Sequence, residues 1–231
     1  KLKNLLNYFQ MIKIYFSKKH NFTNLSIFYF SLIVGICLPN NIFAAGDIKK
    51  GKAAYAVCTA CHGANGAGNK TLNSPSIAGQ EAWYVERQLK NFKAGIRGAD
   101  AKDSYGMQMR PMAMTLADDQ AIADMAAYIS SMPKIKSFER TVNGNEVAGK
   151  SSYMICSTCH GSKGAGNRAL NAPKLTGLQD WYIVRQLKNF KSGIRGTKKG
   201  DLYGMQMRPM AMTLANDEAI RNVAAYIATF K

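Results

Sequence analysis

The sequence predicts an all-α protein that contains two tandem copies of one small helical domain. Three observations support this fold class. The second part of the 231-residue chain repeats the first at a constant offset of 98 residues. Apolar residues in each copy recur at intervals of three and four, as on one face of a helix. No segment sustains the period-two alternation that is typical of a half-buried strand.

The repeat contains no gap over its most similar stretches. The heptad RQLKNFK at 87–93 recurs unchanged at 185–191, and YGMQMRPMAMTLA at 105–117 recurs at 203–215. Each copy spans roughly 85–90 residues, which is an ordinary domain size, and two copies do not make a solenoid. We therefore expect a leader at 1–45, a first domain at 46–133, a linker at 134–146 and a second domain at 147–231.

Helix signals occur in the same order in each copy. Asp47 is a candidate N-cap for a helix that runs toward residue 58. Apolar periodicity predicts further helices over 81–92, 118–132 and 217–230, whereas the intervening segments, rich in Gly, Asn, Ser and Pro, are expected to be loops. The two tryptophans of the chain, Trp83 and Trp181, are expected to pack in the core.

A short cysteine motif lies near the start of each copy. The run C-x-x-C-H is typical of covalent attachment of a c-type haem. Residues three and four apart share a helix face, so both thiols can reach one porphyrin edge while the imidazole faces the iron as an axial ligand. The sequence therefore predicts two haem c groups, attached through Cys58, Cys61 and His62 in the first copy and Cys156, Cys159 and His160 in the second.

Two other uses of the motif are weaker. A zinc site needs four ligands, whereas each motif offers three at the same place in its own repeat. A disulfide within C-x-x-C would give no reason for the adjoining histidine to occur twice.

Methionine is the expected second axial ligand of each iron. Among the three histidines of the chain, two belong to the haem motifs and His20 lies in the leader, so ligation by two histidines has no spare side chain. Methionine–histidine ligation is the alternative, and it raises the reduction potential. The internal repeat does not separate the candidates, which are Met107, Met109, Met112 and Met114 with their counterparts Met205, Met207, Met210 and Met212.

The first 45 residues resemble a secretory signal peptide. Met11 is a plausible initiator, basic residues follow it, and 25–38 is an apolar segment shorter than the about 20 residues of a membrane span. Small residues favour cleavage near Ala44 or Ala45, which predicts a periplasmic protein and removes Cys37 with the leader. The alternative is a leader that is retained as a membrane anchor.

The charge of the chain limits the classes of partner. Five of the 31 Lys and Arg residues and none of the 14 Asp and Glu residues fall in the first 45, which leaves a formal charge of +12 on the remainder. Export argues against nucleic acid as a partner. We expect acidic docking surfaces of redox proteins, or anionic lipid headgroups at a membrane surface.

These motifs together resemble the diheme cytochrome c4 family, in which each half is a class I cytochrome c. The resemblance extends from about Gly46 to Lys231. It includes the paired C-x-x-C-H motifs, a glycine-rich loop followed by Pro-x-x-x-Gly, a middle helix with Gln-Leu, and Met-x-Met-Arg before Leu and a last helix containing Ala-Ala-Tyr.

The resemblance implies a fold, ligands and a role. It implies two tandem class I cytochrome c-like domains, each wrapped around one covalently attached haem, packed together in a monomer. It places the ligand methionine seven residues before a leucine, at Met109 and Met207, and it implies that the carbonyls of Pro75 and Pro173 accept a hydrogen bond from the ligand histidine.

The implied role is electron transfer without substrate turnover, between respiratory donors and a terminal oxidase or reductase. The alternatives are a diheme redox enzyme, such as a peroxidase or a sulfur-compound dehydrogenase, and a membrane-anchored haem subunit of a respiratory complex. An enzyme would need an open or displaceable coordination position at one iron.

Overall fold

The fold is all-α, as the sequence predicts, in a computed structural model that describes residues 45–135 and 138–230. Apart from two isolated bridges, the described residues form no β-structure. The predicted leader, with Cys37 and its apolar segment, lies outside the described residues except for Ala45.

Each half contains a helix with the haem motif, a middle helix, a methionine-rich helix and a last helix. In the first half these are α1 (Ile48–Ala54), a 3-10 turn (Tyr55–Cys58), α2 (Thr59–His62), α3 (Ala82–Lys93), α4 (Ser104–Met114) and α5 (Asp119–Ser131). In the second half they are α6 (Glu146–His160), α7 (Asp180–Lys191), α8 (Leu202–Met212) and α9 (Asp217–Ile227).

Side-chain caps begin the outer helices. Asp47 accepts hydrogen bonds from the main-chain N–H groups at the start of α1, which confirms the predicted cap, and Asn145 does the same for α6. Asp118 and Asn216 cap α5 and α9 in the same way. The helix predicted over 217–230 ends earlier, at Ile227, where the last residues form a turn.

The methionine-rich runs are helical, which corrects the expectation that they lie in loops. Asp103 caps α4 by accepting a hydrogen bond from the Gly106 N–H at 3.1 Å, and Met, Gln and Ala favour a helix thereafter. Pro111 lies within α4 and lacks an N–H group, so the hydrogen bond to Met107 is missing. The helix tolerates this loss because it ends one turn later, at Met114.

The first and last helices of each half pack together at a glycine. A Cβ atom on Gly51 of α1 would lie 2.0 Å from the carbonyl oxygen of Asp124, and one on Gly149 of α6 would lie 2.0 Å from that of Asn222. Only glycine permits this approach. The buried side chains of α5 and α9, which include Ile122, Met125, Ile129, Ile220, Val223 and Ile227, form the centres of the two cores.

The two halves contact each other through reciprocal hydrogen bonds. Arg87 donates to the side-chain and main-chain oxygens of Asn171 at 3.2 and 3.0 Å. At the equivalent positions, Arg185 donates to the main-chain oxygen of Asn73 at 2.9 Å and to its side-chain oxygen. Because each pair is related to the other by the 98-residue offset, the interface has approximate two-fold symmetry.

Aromatic residues extend this interface. Arg87 also stacks over Tyr203 of the opposite half at 4.3 Å, and over Trp83 of its own half at 4.8 Å. Trp83 receives a second cation, Arg168, from the opposite half. The expectation that both tryptophans belong to the core is therefore wrong, since Trp83 and Trp181 are half-buried and lie outside both core clusters.

Candidate haem sites

The two cysteine motifs occupy the same position in their halves but differ in local backbone. In the first half, Cys58 ends a 3-10 turn while Cys61 and His62 lie on the short helix α2. In the second half the whole motif lies on the last turns of the continuous helix α6. In both halves the first cysteine is half-buried, the second is exposed and the histidine is buried, so the two motifs share one pattern of exposure.

A prolyl carbonyl orients each histidine. The Nδ1 atom of His62 lies 2.8 Å from the Pro75 carbonyl oxygen, and that of His160 lies 2.7 Å from the Pro173 oxygen, as the family resemblance implies. A carbonyl oxygen only accepts, so Nδ1 carries the proton and Nε2 keeps its lone pair for a metal. Burial lowers the pKa of both imidazoles, against the opposing effect of the carbonyl, and favours this neutral form.

A tyrosine fixes the chain directly after each histidine. The Tyr55 hydroxyl donates to the Gly63 carbonyl at 2.9 Å, and the Tyr153 hydroxyl donates to the Gly161 carbonyl at 2.8 Å. The backbone at Gly63 has a φ of 76°, a conformation that glycine adopts without strain, and it turns the chain toward the loop that carries Pro75. The sequence reasoning missed these tyrosines, although their equivalence in the repeat was a visible signal.

The four cysteines of the two motifs form no disulfide among the described residues, so their thiols are available for thioether bonds. Burial, and then the neighbouring Cys61, raises the pKa of the Cys58 thiol, and burial is likewise the largest cause of the raised pKa of Cys156. Within the described ranges, no three His, Cys, Asp or Glu side chains form a group that could hold a metal ion on their own.

One methionine of each run differs from the other three. Met109 follows the buried Gly106 by three residues and precedes the buried Ala113 by four, so these residues share one face of α4. Met207 has the same position on α8. Both side chains are partly buried, whereas the other six methionines of the two runs are between 37% and 57% exposed.

Two buried arginines test whether haem fits these halves. Arg97 and Arg195 are 6% and 5% exposed, and neither forms an ion pair with any described carboxylate. Their Nε atoms are buried without a hydrogen-bond partner. Buried cations require an anion or acceptor nearby, and each haem carries two carboxylates. Cysteines without disulfides, oriented imidazoles and the unpartnered Nε donors of these two arginines therefore fit two haem c groups.

The described residues include no helix that is both long and apolar enough to cross a membrane. The predicted apolar segment at 25–38 is not among them.

Known proteins give a consistent match. The family model "Cytochrome c" matches twice, over residues 48–133 and 146–231. The cytochromes c4 of Azotobacter vinelandii and Stutzerimonas stutzeri are 32% and 34% identical over 208 residues, which cover 85% of this chain and 95% of each relative.

A solved structure and a further relative extend the comparison. The crystal structure of reduced recombinant cytochrome c4 from Pseudomonas stutzeri aligns with a TM-score of 0.63 at 30% identity, over 81% of this chain and 100% of the other. A thiosulfate dehydrogenase electron acceptor of Stutzerimonas stutzeri (strain A1501) is 29% identical over 182 residues, which are 74% of this chain and 77% of that protein.

Proposed function

We propose that this chain, which belongs to the cytochrome c4 family of diheme c-type cytochromes, is an exported electron carrier that passes single electrons between proteins of a respiratory chain. Its cofactors are two covalently attached haem c groups, one in each half. The observation that carries the proposal is the duplication of one complete ligand set, with an oriented histidine and a partly buried methionine in each half.

Within each half, some residues would attach the haem and others would ligate its iron. Cys58 and Cys61 would attach the first haem, and His62 and Met109 would ligate its iron. Cys156, Cys159, His160 and Met207 would do the same in the second half. A haem with these ligands supplies a one-electron couple. The protein contributes the fixed tautomer of each imidazole and an interface that holds the halves together, and in each half a histidine and a methionine on helices would ligate the iron.

The partners we propose are redox proteins with acidic docking surfaces. The formal charge of the chain after residue 45 is +12, which favours such surfaces and also anionic membrane surfaces. The name of the thiosulfate dehydrogenase electron acceptor suggests that a sulfur-compound dehydrogenase could be the donor. The acceptor we propose is a terminal oxidase or reductase, and the compartment is the periplasm.

Ligand binding and redox titration separate the carrier from a diheme enzyme. A carrier should show two reversible one-electron steps, with both ferric haems low-spin and slow to bind cyanide, because a methionine would ligate each iron together with the histidine. A ferric haem that is high-spin and binds cyanide quickly would instead support the enzyme. Electron uptake from a sulfur-compound dehydrogenase that slows steeply as salt is raised would support the docking proposal.

A further inference from the structure

The two-fold symmetry of the interface is broken at one pair of equivalent positions. Glu81 and Gln179 are 98 residues apart, and each directly precedes the middle helix of its half, at the N-cap position. The side-chain amide oxygen of Gln179 (Oε1) accepts a hydrogen bond from the Ser76 N–H at 2.8 Å, and a Glu81 carboxylate oxygen accepts one from the Lys174 N–H at 3.0 Å. The two hydrogen bonds have equivalent positions in the two halves, but the acceptor is a neutral amide at Gln179 and a carboxylate at Glu81.

These N–H groups belong to the peptide units that orient the ligand histidines. The Lys174 N–H and the Pro173 carbonyl are the two ends of one planar, conjugated peptide group, and that carbonyl accepts from His160 Nδ1 at 2.7 Å. A carboxylate on the N–H end polarises the group and makes its carbonyl a stronger acceptor. A stronger acceptor on Nδ1 raises the basicity of a ligating imidazole.

The two imidazoles therefore have different electrostatic surroundings across equivalent contacts. A carboxylate lies against the peptide group that holds His160, whereas a neutral amide lies against the peptide group that holds His62.

Among the described residues, Glu81 forms no salt bridge. The buried Lys174 ammonium interacts electrostatically with Glu81, but its hydrogen bond goes to the Gly79 carbonyl. On the other side, the Gln179 amide also donates to the Ala67 carbonyl at 2.9 Å, a bond that an ionised glutamate cannot make.

We propose that Glu81 is a positioning residue that acts through Pro173 and His160, across the interface, to lower the reduction potential of the second haem site relative to a neutral glutamine at that position. The proposal rests on the proposed function, since it concerns the same two redox sites. Oxidised iron carries one more positive charge than reduced iron, so both the fixed negative charge and the more basic imidazole favour the oxidised form.

The test is a potentiometric titration of the holoprotein followed by NMR, in which haem methyl signals assigned to each half report each site separately. Glu81→Gln keeps the acceptor for the Lys174 N–H and removes the charge. It should raise the potential of the second site and leave that of the first nearly unchanged. The Nδ1 proton of His160 should also shift upfield in the reduced protein, because its hydrogen bond weakens.

The matched variant is Gln179→Glu, which places a carboxylate at the equivalent position of the other half. It should lower the potential of the first site and leave the second nearly unchanged. This variant loses the hydrogen bond to Ala67. If Gln179→Glu does not fold, the isosteric Glu81→Gln alone tests the proposed role of Glu81.

The outcomes separate this inference from the proposed function. Two reversible steps in the parent protein, with Glu81→Gln shifting neither site or both equally, would overturn the role of Glu81 while the carrier function stands. A parent protein in which one site fails to titrate reversibly, or is high-spin, would instead remove the carrier function.

Discussion

Arg97 and Arg195 lie buried on opposite sides of the interface. Each donates hydrogen bonds to the same two glutamine side chains, one from each half. Arg97 donates to Gln88 of its own half at 2.6 Å and to Gln186 of the other at 3.4 Å. Arg195 repeats this with Gln186 at 2.5 Å and Gln88 at 3.3 Å. Burial, and then the charge of Arg97, lowers the pKa of Arg195, so two like charges share a poorly solvated site.

Removing one of these guanidinium groups should destabilise the holoprotein. Arg195→Gln would leave the partly buried side-chain oxygen of Gln186 without its closer donor, and a loss of about 1–3 kcal/mol in the free energy of unfolding is expected. Chemical denaturation of the diheme protein measures it. The exposed Arg110→Gln is the matched control, with an expected change within about 0.5 kcal/mol. Equal effects of the two changes would contradict this assignment.

Covalent attachment predicts the mass of the purified protein. The intact mass should exceed that of the polypeptide by two haem groups, because both thiol pairs are free to form thioether bonds. Cys58→Ala combined with Cys61→Ala should remove one group, whereas Cys37→Ala should remove none. A polypeptide that carried zinc in place of haem would contradict the attachment.

Methionine ligation at Met109 and Met207 predicts a spectroscopic change for each half. A ferric methionine–iron bond gives a weak absorbance band at long wavelength. Met109→Ala should remove about half of this band and lower one potential, since the soft thioether favours ferrous iron. Met207→Ala should do the same for the other half.

The exposed methionines of the same helix are the controls. Met107→Ala, Met112→Ala and Met114→Ala should leave the band largely intact. Loss of the band in Met112→Ala, with retention in Met109→Ala, would show that the ligand is misassigned.

The carboxyl of Asp124 predicts acid sensitivity in the first half. The Asp47 N–H donates to it at 2.7 Å, and this bond, followed by that from Gln120, lowers the pKa of Asp124. A lowered pKa stabilises the folded state above the unfolded value of about 3.9, and the stabilisation is lost as pH falls through the folded pKa. Asp124→Asn should therefore reduce the pH dependence of unfolding as the pH falls below about 5.

The second half supplies the control for this change. There Asn222 accepts from the Asn145 N–H at 2.7 Å without a titrating group. Asn222→Asp should add acid sensitivity that the parent protein lacks at this position. Identical denaturation profiles across this pH range for the parent and Asp124→Asn would contradict the prediction.

Export predicts a particular N-terminus for the native protein. N-terminal sequencing of protein from the periplasmic fraction should begin near Ala45 or Gly46, because small residues favour cleavage there. Recovery only in detergent, with residues 25–38 retained, would favour the membrane-anchored subunit.

The structural features that depend on residues close together in the chain could be predicted from the sequence. The outer helices and the Asp47 cap follow from residue types within a few positions of one another, and the structure places them as expected. The position of Trp83 did not follow, because its cation partner Arg168 lies 85 residues away in the other half. The helical state of the methionine runs was not predicted, because they lie in the segments between predicted helices that were expected to be loops.

The reciprocal contacts of the interface have a consequence for the origin of the chain. Each half carries both members of the arginine–asparagine contact, so two copies of a single half could pair through the same surface as a homodimer. A homodimer must place the same residue at both equivalent positions. Fusion into one gene removes that restriction, and the difference between Glu81 and Gln179 is a difference that only a duplicated chain can encode.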